Sequence, residues 1–271
     1  MNEQAIRDMA LKMRRSILDI SHTCNLSAHL GGGLSMVDIT ATLYGSVMRF
    51  QKDNPAWEGR DRFILSKGHG VLGYFSALLA AGIISEEKFA TFQTNESDLI
   101  AHPVMNMELG MESSNGSLGQ GLSLGVGLAL AAKKKGMDHK IYVLLGDGEC
   151  NEGSVWEAVM CAAQLKLDNL VAIVDYNRLQ SDGAAPDIID FGNFEDKWKA
   201  FGWNVCGIDG HNIPEIHNAL VNCQVEGKPK VLVAHTVKGK GVKFMENNNE
   251  WHHNRLTKTH YEQALIELEG N

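Results

Sequence analysis

Cysteine is sparse in this sequence, and none of it is arranged for a task. The five residues, Cys24, Cys150, Cys161, Cys206 and Cys223, include no C-x-x-C pair and are odd in number. That spread argues against a disulfide framework and predicts reduced thiols in the cytoplasm. Basic charge is also short: 25 Lys and Arg stand against 33 Asp and Glu, for a net charge of −8. Nucleic acid calls for a basic face and is therefore not an expected partner. The start, Met1-Asn2-Glu3-Gln4, has no apolar signal core. The apolar run near Gly121 to Ala132 is too short and glycine-rich to span a membrane. Repeats, linkers and low-complexity tracts are absent, so the 271 residues are expected to form a single domain, 1–271.

What is present alternates. Helical spacing covers residues 3–20; a glycine break is expected at Gly31-Gly32-Gly33, then a helix over about 36–50. Phe63-Ile64-Leu65 reads as a strand ending in Ser66-Lys67-Gly68-His69-Gly70, with a helix to about Ala81. From residue 119 the expected order is helix, strand (141–145), helix (153–165), strand (170–175), loop, helix (193–200), strand (203–208), helix (213–224), strand (230–235) and a final helix over about 259–268. Such alternation predicts an α/β fold with a parallel sheet covered by helices on both faces. Two long irregular segments, 93–118 and 236–256, are the kind of loop that tends to carry function.

Two strand-like runs end in hard oxygen ligands: Ile141 to Gly146 leads into Asp147-Gly148, and Val171 to Tyr176 leads into Asn177. Asp147 and Asn177 are 30 positions apart, one strand–helix–strand unit. Parallel strands bring both oxygens to the same sheet edge, where a carboxylate and an amide oxygen suit Mg²⁺ or Ca²⁺. Gly148 allows the backbone to approach a phosphate. Asp-Gly after a strand is also ordinary turn chemistry, and it is the second oxygen one crossover later that favours a ligand site. An EF-hand frame fails, because its required glycine would fall at Glu152 and its bidentate acid at Ala158. Gly121-Leu122-Ser123-Leu124-Gly125 matches the esterase nucleophile pattern, but no strand precedes it. Gly121 and Gly125 read better as small residues that let a helix pack closely, its N-terminal amides near Gly116 to Gly119 free to meet a ligand.

Of the 11 histidines, four lie in Gly- or Pro-flanked loops: His29, His69, His102 and His252. Imidazole there can donate to a phosphate or sugar hydroxyl and move protons near neutral pH. His139, His217 and His260 read as structural, and His211, in Asp209-Gly210-His211, as a turn residue.

Taken together, Ser66-Lys67-Gly68-His69-Gly70, Ala101-His102-Pro103, Gly116-Ser117-Leu118-Gly119-Gln120-Gly121, Gly146 to Gly153, and Asp175-Tyr176-Asn177 with Ser181-Asp182-Gly183 resemble the transketolase family of thiamine diphosphate enzymes, over about residues 20–255. The resemblance implies the family's thiamine diphosphate-binding fold, in its diphosphate-binding domain only. It implies that Asp147, Asn177 and the Leu179 carbonyl hold Mg²⁺ (or Ca²⁺). His69, Gly116, Ser117, Leu118, Gly148, Glu149, Asn177 and His252 would bind thiamine diphosphate. His29 and His102 would face the sugar hydroxyls, with His252 or His253 as the loop histidine. Glu152 would sit at a dimer interface linking two cofactor sites. The family's Gly-His-Pro-Gly is here Ala28-His29-Leu30-Gly31. The pyrimidine-binding domain has no counterpart in these residues, so the expected partner is a separate C-terminal transketolase subunit, in an α2β2 heterotetramer. The expected reaction moves a two-carbon ketol unit between sugar phosphates. The α chain of a 2-oxo acid dehydrogenase, a non-catalytic thiamine diphosphate-binding module and an esterase using Ser123 are the alternatives.

Overall fold

In the computed structural model, which describes residues 1–270, the chain is built on a five-stranded sheet. Its strands are β2 (Arg62–Leu65), β3 (Ile141–Gly146), β4 (Leu170–Tyr176), β5 (Asn204–Asp209) and β6 (Lys230–His235). They lie in the order β2-β3-β4-β6-β5, and every pairing is parallel. A two-stranded antiparallel ribbon, β1 (Ser27–Ala28) with β7 (Asn254–Arg255), ties the start of the chain to its last long loop. The helices are α1 (Glu3–Cys24), α2 (Leu30–Ser35), α3 (Val37–Thr42), α4 (Val71–Ala80), α5 (Glu86–Phe89) and α6 (Gly121–Lys134). They continue with α7 (Gly153–Gln164), α8 (Ala185–Ile188), α9 (Phe194–Ala200), α10 (Ile213–Val221) and α11 (Lys258–Glu269). Among the described residues, no helix is long and apolar enough to cross a membrane.

Side-chain alternation divides the interior in two. Along β3, Tyr142 and Leu144 join the core beneath α1, α3, α4 and α10. Ile141, Val143 and Leu145 join the core beneath α6, α7 and α9. Both faces are thus buried, which is why the central strands read as unbroken apolar runs. Helix α1 is set by an Asn2 cap that accepts from the Ala5 N–H, and it ends where Asn25 turns left-handed at φ 57°.

The expected elements occur, with local differences. The run Gly31-Gly32-Gly33 is not a break; it lies inside α2 and is buried. A Cβ on Gly31 would meet the Trp251 carbonyl at 2.9 Å, so these glycines admit close neighbours to a helix rather than end one. The helix expected over 36–50 is instead α3 followed by a wide π-type turn at Leu43–Val47. The ribbon strands and α5 and α8 are too short for periodicity to reveal.

Gly125 faces the sheet as its spacing suggested: an added Cβ would stand 2.5 Å from the Val143 side chain and 3.3 Å from Leu170. Gly125→Ala should therefore force α6 off the sheet and cost about 1–3 kcal/mol, the usual range for an overpacked core. Urea unfolding of the two proteins measures it, and equal midpoints would remove this packing role.

Candidate active site

The parallel arrangement places the C-terminal ends of β2, β3 and β4 side by side, and a cleft of about 300 Å³ opens above them. Asp147 leaves β3 and Asn177 leaves β4, and both line it with Leu179. Asp147 is buried; one oxygen accepts from the Gly148 N–H at 2.8 Å and the other from the Arg178 N–H. Burial, together with the nearby Asp175 charge, pushes the Asp147 carboxyl up to about 6. The Asn177 amide has a fixed sense: its Nδ2 donates to Asp175 at 3.3 Å, and Oδ1 accepts from the Leu179 N–H at 3.0 Å with a second lone pair remaining.

Carboxylate, amide oxygen and carbonyl oxygen together form a hard-cation donor set. Among the described residues no cluster of three His, Cys, Asp or Glu offers a competing metal site. One further cation is already in place. The buried Lys238 ammonium donates to the Leu179 and Gln180 carbonyls, each at 3.2 Å, and to His252 Nδ1 at 2.8 Å. Burial and the Lys67 charge lower it to about 8. A divalent ion on the Leu179 carbonyl would sit beside this ammonium, an arrangement that becomes favourable when an anion lies between them. Gln180 lines the same cleft, and its buried Nε2 has no hydrogen-bond partner. A Cβ on Gly148 would collide with the Gln180 side chain at 2.8 Å, so glycine here lets that side chain lie directly on the backbone. The residues present therefore fit a metal-bridged diphosphate.

The histidines of widely separated loops meet over this floor. His29 lies between β1 and α2, and its ring is 5.2 Å from His69, 5.4 Å from His252 and 6.2 Å from His102. All four line the cleft. Burial, with the neighbouring imidazoles, lowers His29 to about 3. Burial and the Lys238 charge lower His252 to about 4. His69 and His102 are likewise lowered by burial. The four are neutral at physiological pH, able to donate and accept without carrying charge. Of the two adjacent loop histidines, His252 lies in the cleft; His253 is exposed, leans on His29 at 4.5 Å and lines a separate small recess.

Other expected residues take different places. Gly116 and Leu118 line the cleft, whereas Ser117 is exposed beside it. Glu149 is buried with its oxygens committed to the protein: it accepts from Ser66 Oγ at 2.5 Å, Gly119 N at 2.8 Å and Gly146 N at 3.0 Å. It pins the 116–121 segment to the end of β3. Glu152 is exposed at the head of α7, against Gly119. Ser123 is exposed on α6 with no strand before it, so an esterase elbow is not formed. Composition and spacing did not single out Lys67, Lys238 or Gln180. A lysine reads as surface by default, and only the composition of 236–256, rich in Lys, Gly, Asn and His, marked the loop of Lys238. His211 is more than a turn residue; its ring bonds Asp38 and the Val237 N–H.

The raised Asp147 carboxyl has a signed consequence. The metal-free fold keeps this proton below about 6 and loses the corresponding stability as pH rises through that value. Mg²⁺ competes with the same proton, so its affinity should be about tenfold weaker at pH 5 than at pH 8. Melting curves with and without Mg²⁺ across this range check both, and a pH-independent affinity would contradict the placement of Asp147 at the metal.

Comparison with known proteins gives the family of the chain. The family model described as "Transketolase, thiamine diphosphate binding domain" matches residues 7–268. An apulose-4-phosphate transketolase subunit of Phocaeicola vulgatus is 42% identical, over 95% of this chain and 91% of its own length. A 6-deoxy-6-sulfo-D-fructose transketolase subunit from a Clostridium species is 41% identical, over 89% and 88%. The crystal structure of transketolase from Campylobacter jejuni superposes with a TM-score of 0.92 at 32% identity, covering 99% of this chain but 43% of that one. The chain thus spans less than half the length of that solved enzyme. It belongs to the transketolase family, as a thiamine diphosphate binding domain.

Proposed function

We propose that this chain is the diphosphate-binding subunit of a two-chain transketolase, which moves a two-carbon ketol unit from a ketose phosphate to an aldose phosphate. The observation that carries this reading is the joint placement, in one cleft, of the Asp147–Asn177 oxygen pair and a wall of neutral histidines. Relatives of nearly the same length that are named as transketolase subunits support it. They favour it over the α chain of a 2-oxo acid dehydrogenase, and a non-catalytic binding module would leave His29 and His102 without a task.

Bound thiamine diphosphate supplies a carbanion-stabilising centre for breaking and re-forming a carbon–carbon bond beside a ketone. The residues of this chain bind, orient and move protons around it. Asp147, Asn177 Oδ1 and the Leu179 carbonyl would hold Mg²⁺, or Ca²⁺. Lys238 and the unpartnered Gln180 Nε2 would donate to the diphosphate. Because His252 Nδ1 accepts from Lys238, its proton rests on Nε2, free to donate. His29 and His102, held neutral by burial, would exchange hydrogen bonds and protons with sugar hydroxyls. His69 would contact the cofactor. The whole chain would act as one domain. The exposed apolar residues Leu118, Leu124 and Met160, with the exposed Glu152, suit an interface with further subunits in an α2β2 assembly. Five free thiols fit a cytoplasmic location.

Asp147→Ala and Asn177→Ala should each abolish metal-dependent binding of thiamine diphosphate while the fold persists. Calorimetric titration of the assembled enzyme reads this, and wild-type affinity in either variant would sink the metal site. His29→Ala and His102→Ala should leave cofactor affinity intact and lower kcat/KM about 10²–10⁴-fold. A variant with full turnover would return that histidine to a structural role.

The isolated chain, saturated with cofactor and Mg²⁺, should turn over no ketose phosphate until the partner that binds the pyrimidine ring is added. Turnover by this chain alone refutes the two-chain reading, and turnover of pyruvate in place of sugar phosphates would favour the dehydrogenase.

A further inference from the structure

Lys238 reaches the cleft from an irregular segment whose backbone turns left-handed at Gly239 (φ 80°) and Gly241 (φ 99°). The segment belongs to no helix or strand; its own backbone bonds include the Gly239 N–H to the Gly31 carbonyl at 3.0 Å and the Asn247 N–H to the Lys238 carbonyl at 2.9 Å. Two side chains grip its backbone on either side of Lys238, from the face away from the cleft. The Val237 N–H donates to His211 Nε2 at 2.8 Å. The Lys240 carbonyl accepts from Arg14 Nε at 3.2 Å. Both gripping residues converge on Asp38. Arg14 reaches its two oxygens at 3.0 and 2.6 Å, and His211 Nδ1 lies 2.8 Å from Oδ2. Arg14 and Asp38 are buried, and neither they nor His211 line the cleft.

The chemistry of the donors fixes the state of the ring. A backbone N–H can only donate, so His211 Nε2 must be the unprotonated nitrogen. The proton then sits on Nδ1 and points at Asp38. Burial tends to raise the Asp38 carboxyl, but the Arg14 charge and the His211 hydrogen bond outweigh it and hold it at about 2. The carboxylate therefore stays charged, orients the imidazole and selects its tautomer. Two elements distant in sequence, α1 and the β5–α10 turn, meet on a single segment four residues long, and Asp38 of α3 joins their two side chains.

We infer that His211 is a positioning residue for the cofactor site: oriented by Asp38, it clamps the Val237–Lys240 backbone and so holds the Lys238 ammonium where the diphosphate binds. This rests on the function proposed above. The clamp touches neither cofactor nor sugar. Losing it should weaken binding of the ground-state cofactor and leave the chemical step intact once the site is full. Phe in place of His211 keeps the ring volume and deletes both hydrogen bonds. Gln carries a donor nitrogen and an acceptor oxygen on one planar group, and can satisfy Asp38 and Val237 together.

The test is a cofactor titration of the assembled enzyme, with kcat at saturating thiamine diphosphate and Mg²⁺, for wild type, His211→Phe and His211→Gln. His211→Phe should bind the cofactor about 10–100-fold more weakly, the range seen when groups behind direct ligands are lost. Its kcat at saturation should be near wild type, and His211→Gln should recover most of the affinity. Unchanged affinity in His211→Phe, or a loss that Gln does not repair, overturns the clamp. So does a fall in kcat that saturation does not restore. The wild-type protein gives a check that needs no variant: ¹⁵N shifts of His211 should report a proton on Nδ1, and a proton on Nε2 overturns the proposal. If the wild-type enzyme binds no thiamine diphosphate, the functional reading itself falls and takes this role with it. A wild type that binds beside a His211→Phe that binds equally well refutes the clamp alone.

Discussion

A buried ion pair beneath the cleft organises the rest. The Lys67 ammonium, one residue past Ser66 at the end of β2, meets the Asp175 carboxylate in β4, and both are almost wholly removed from solvent. Two charges in such a place need further hydrogen bonds to offset their desolvation. Lys67 also donates to the Gly32 carbonyl at 2.7 Å, and Asp175 accepts from Ser35 Oγ at 2.5 Å and from Thr236 Oγ1. One pair thus joins the ends of β2 and β4, the exit of β6 and helix α2. Removing one partner of such a pair leaves an uncompensated charge and typically costs about 3–5 kcal/mol. The mutual geometry of the cleft walls is therefore set by polar contacts rather than by the apolar cores below them.

The site inherits its electrostatics from that pair. Burial alone would protonate Asp175, but Lys67 outweighs it and keeps the carboxyl below its usual range. Ionised Asp175 orients the Asn177 amide and adds to the rise of Asp147. Lys67 and Lys238 in turn help to hold the histidines neutral. The result is a cleft with one carboxyl ready to exchange its proton for a cation, one ammonium ready for an anion, and imidazoles that carry no charge. The overall charge of −8 says nothing of this, since the decisive groups are a handful of buried ones.

Backbone carries part of the same design. Glu149 spends its oxygens on Ser66, Gly119 and Gly146, so the loop that presents Gly116 and Leu118 is tied to the strand that presents Asp147. Gly121 lies close against Ser66, where no side chain would fit. The last long loop is held at its ends by the β1–β7 ribbon and by His211 and Arg14. Long loops normally have low local stability. These are fastened at specific backbone atoms, which lets residues far apart in the chain act at one point.

Much of this is legible in the sequence. Apolar runs with both faces buried, alternating with helical spacing, dictate a parallel sheet. Parallel strands dictate that Asp147 and Asn177 share an edge, because a crossover of this length returns the chain in the same direction. Glycine or proline beside His69 and His102, and the polar composition of the segment that holds His252, mark these histidines as loop residues at a ligand, whereas the glycines beside His29 belong to α2. What the sequence could not determine is pairing across distance. Lys67 and Asp175 are 108 positions apart, and Arg14 and Lys240 are 226 apart. Nothing local distinguishes a lysine that will be buried from one that stays in solvent, or a turn histidine from one that orients a neighbouring strand exit. Whether His252 or His253 faces the cleft, whether Glu149 meets a ligand or holds a loop, and whether three glycines break a helix or let one pack are decided by what lies opposite. Local sequence determines conformation and polarity; only the tertiary fold decides which charges are desolvated together, and desolvation sets their chemistry.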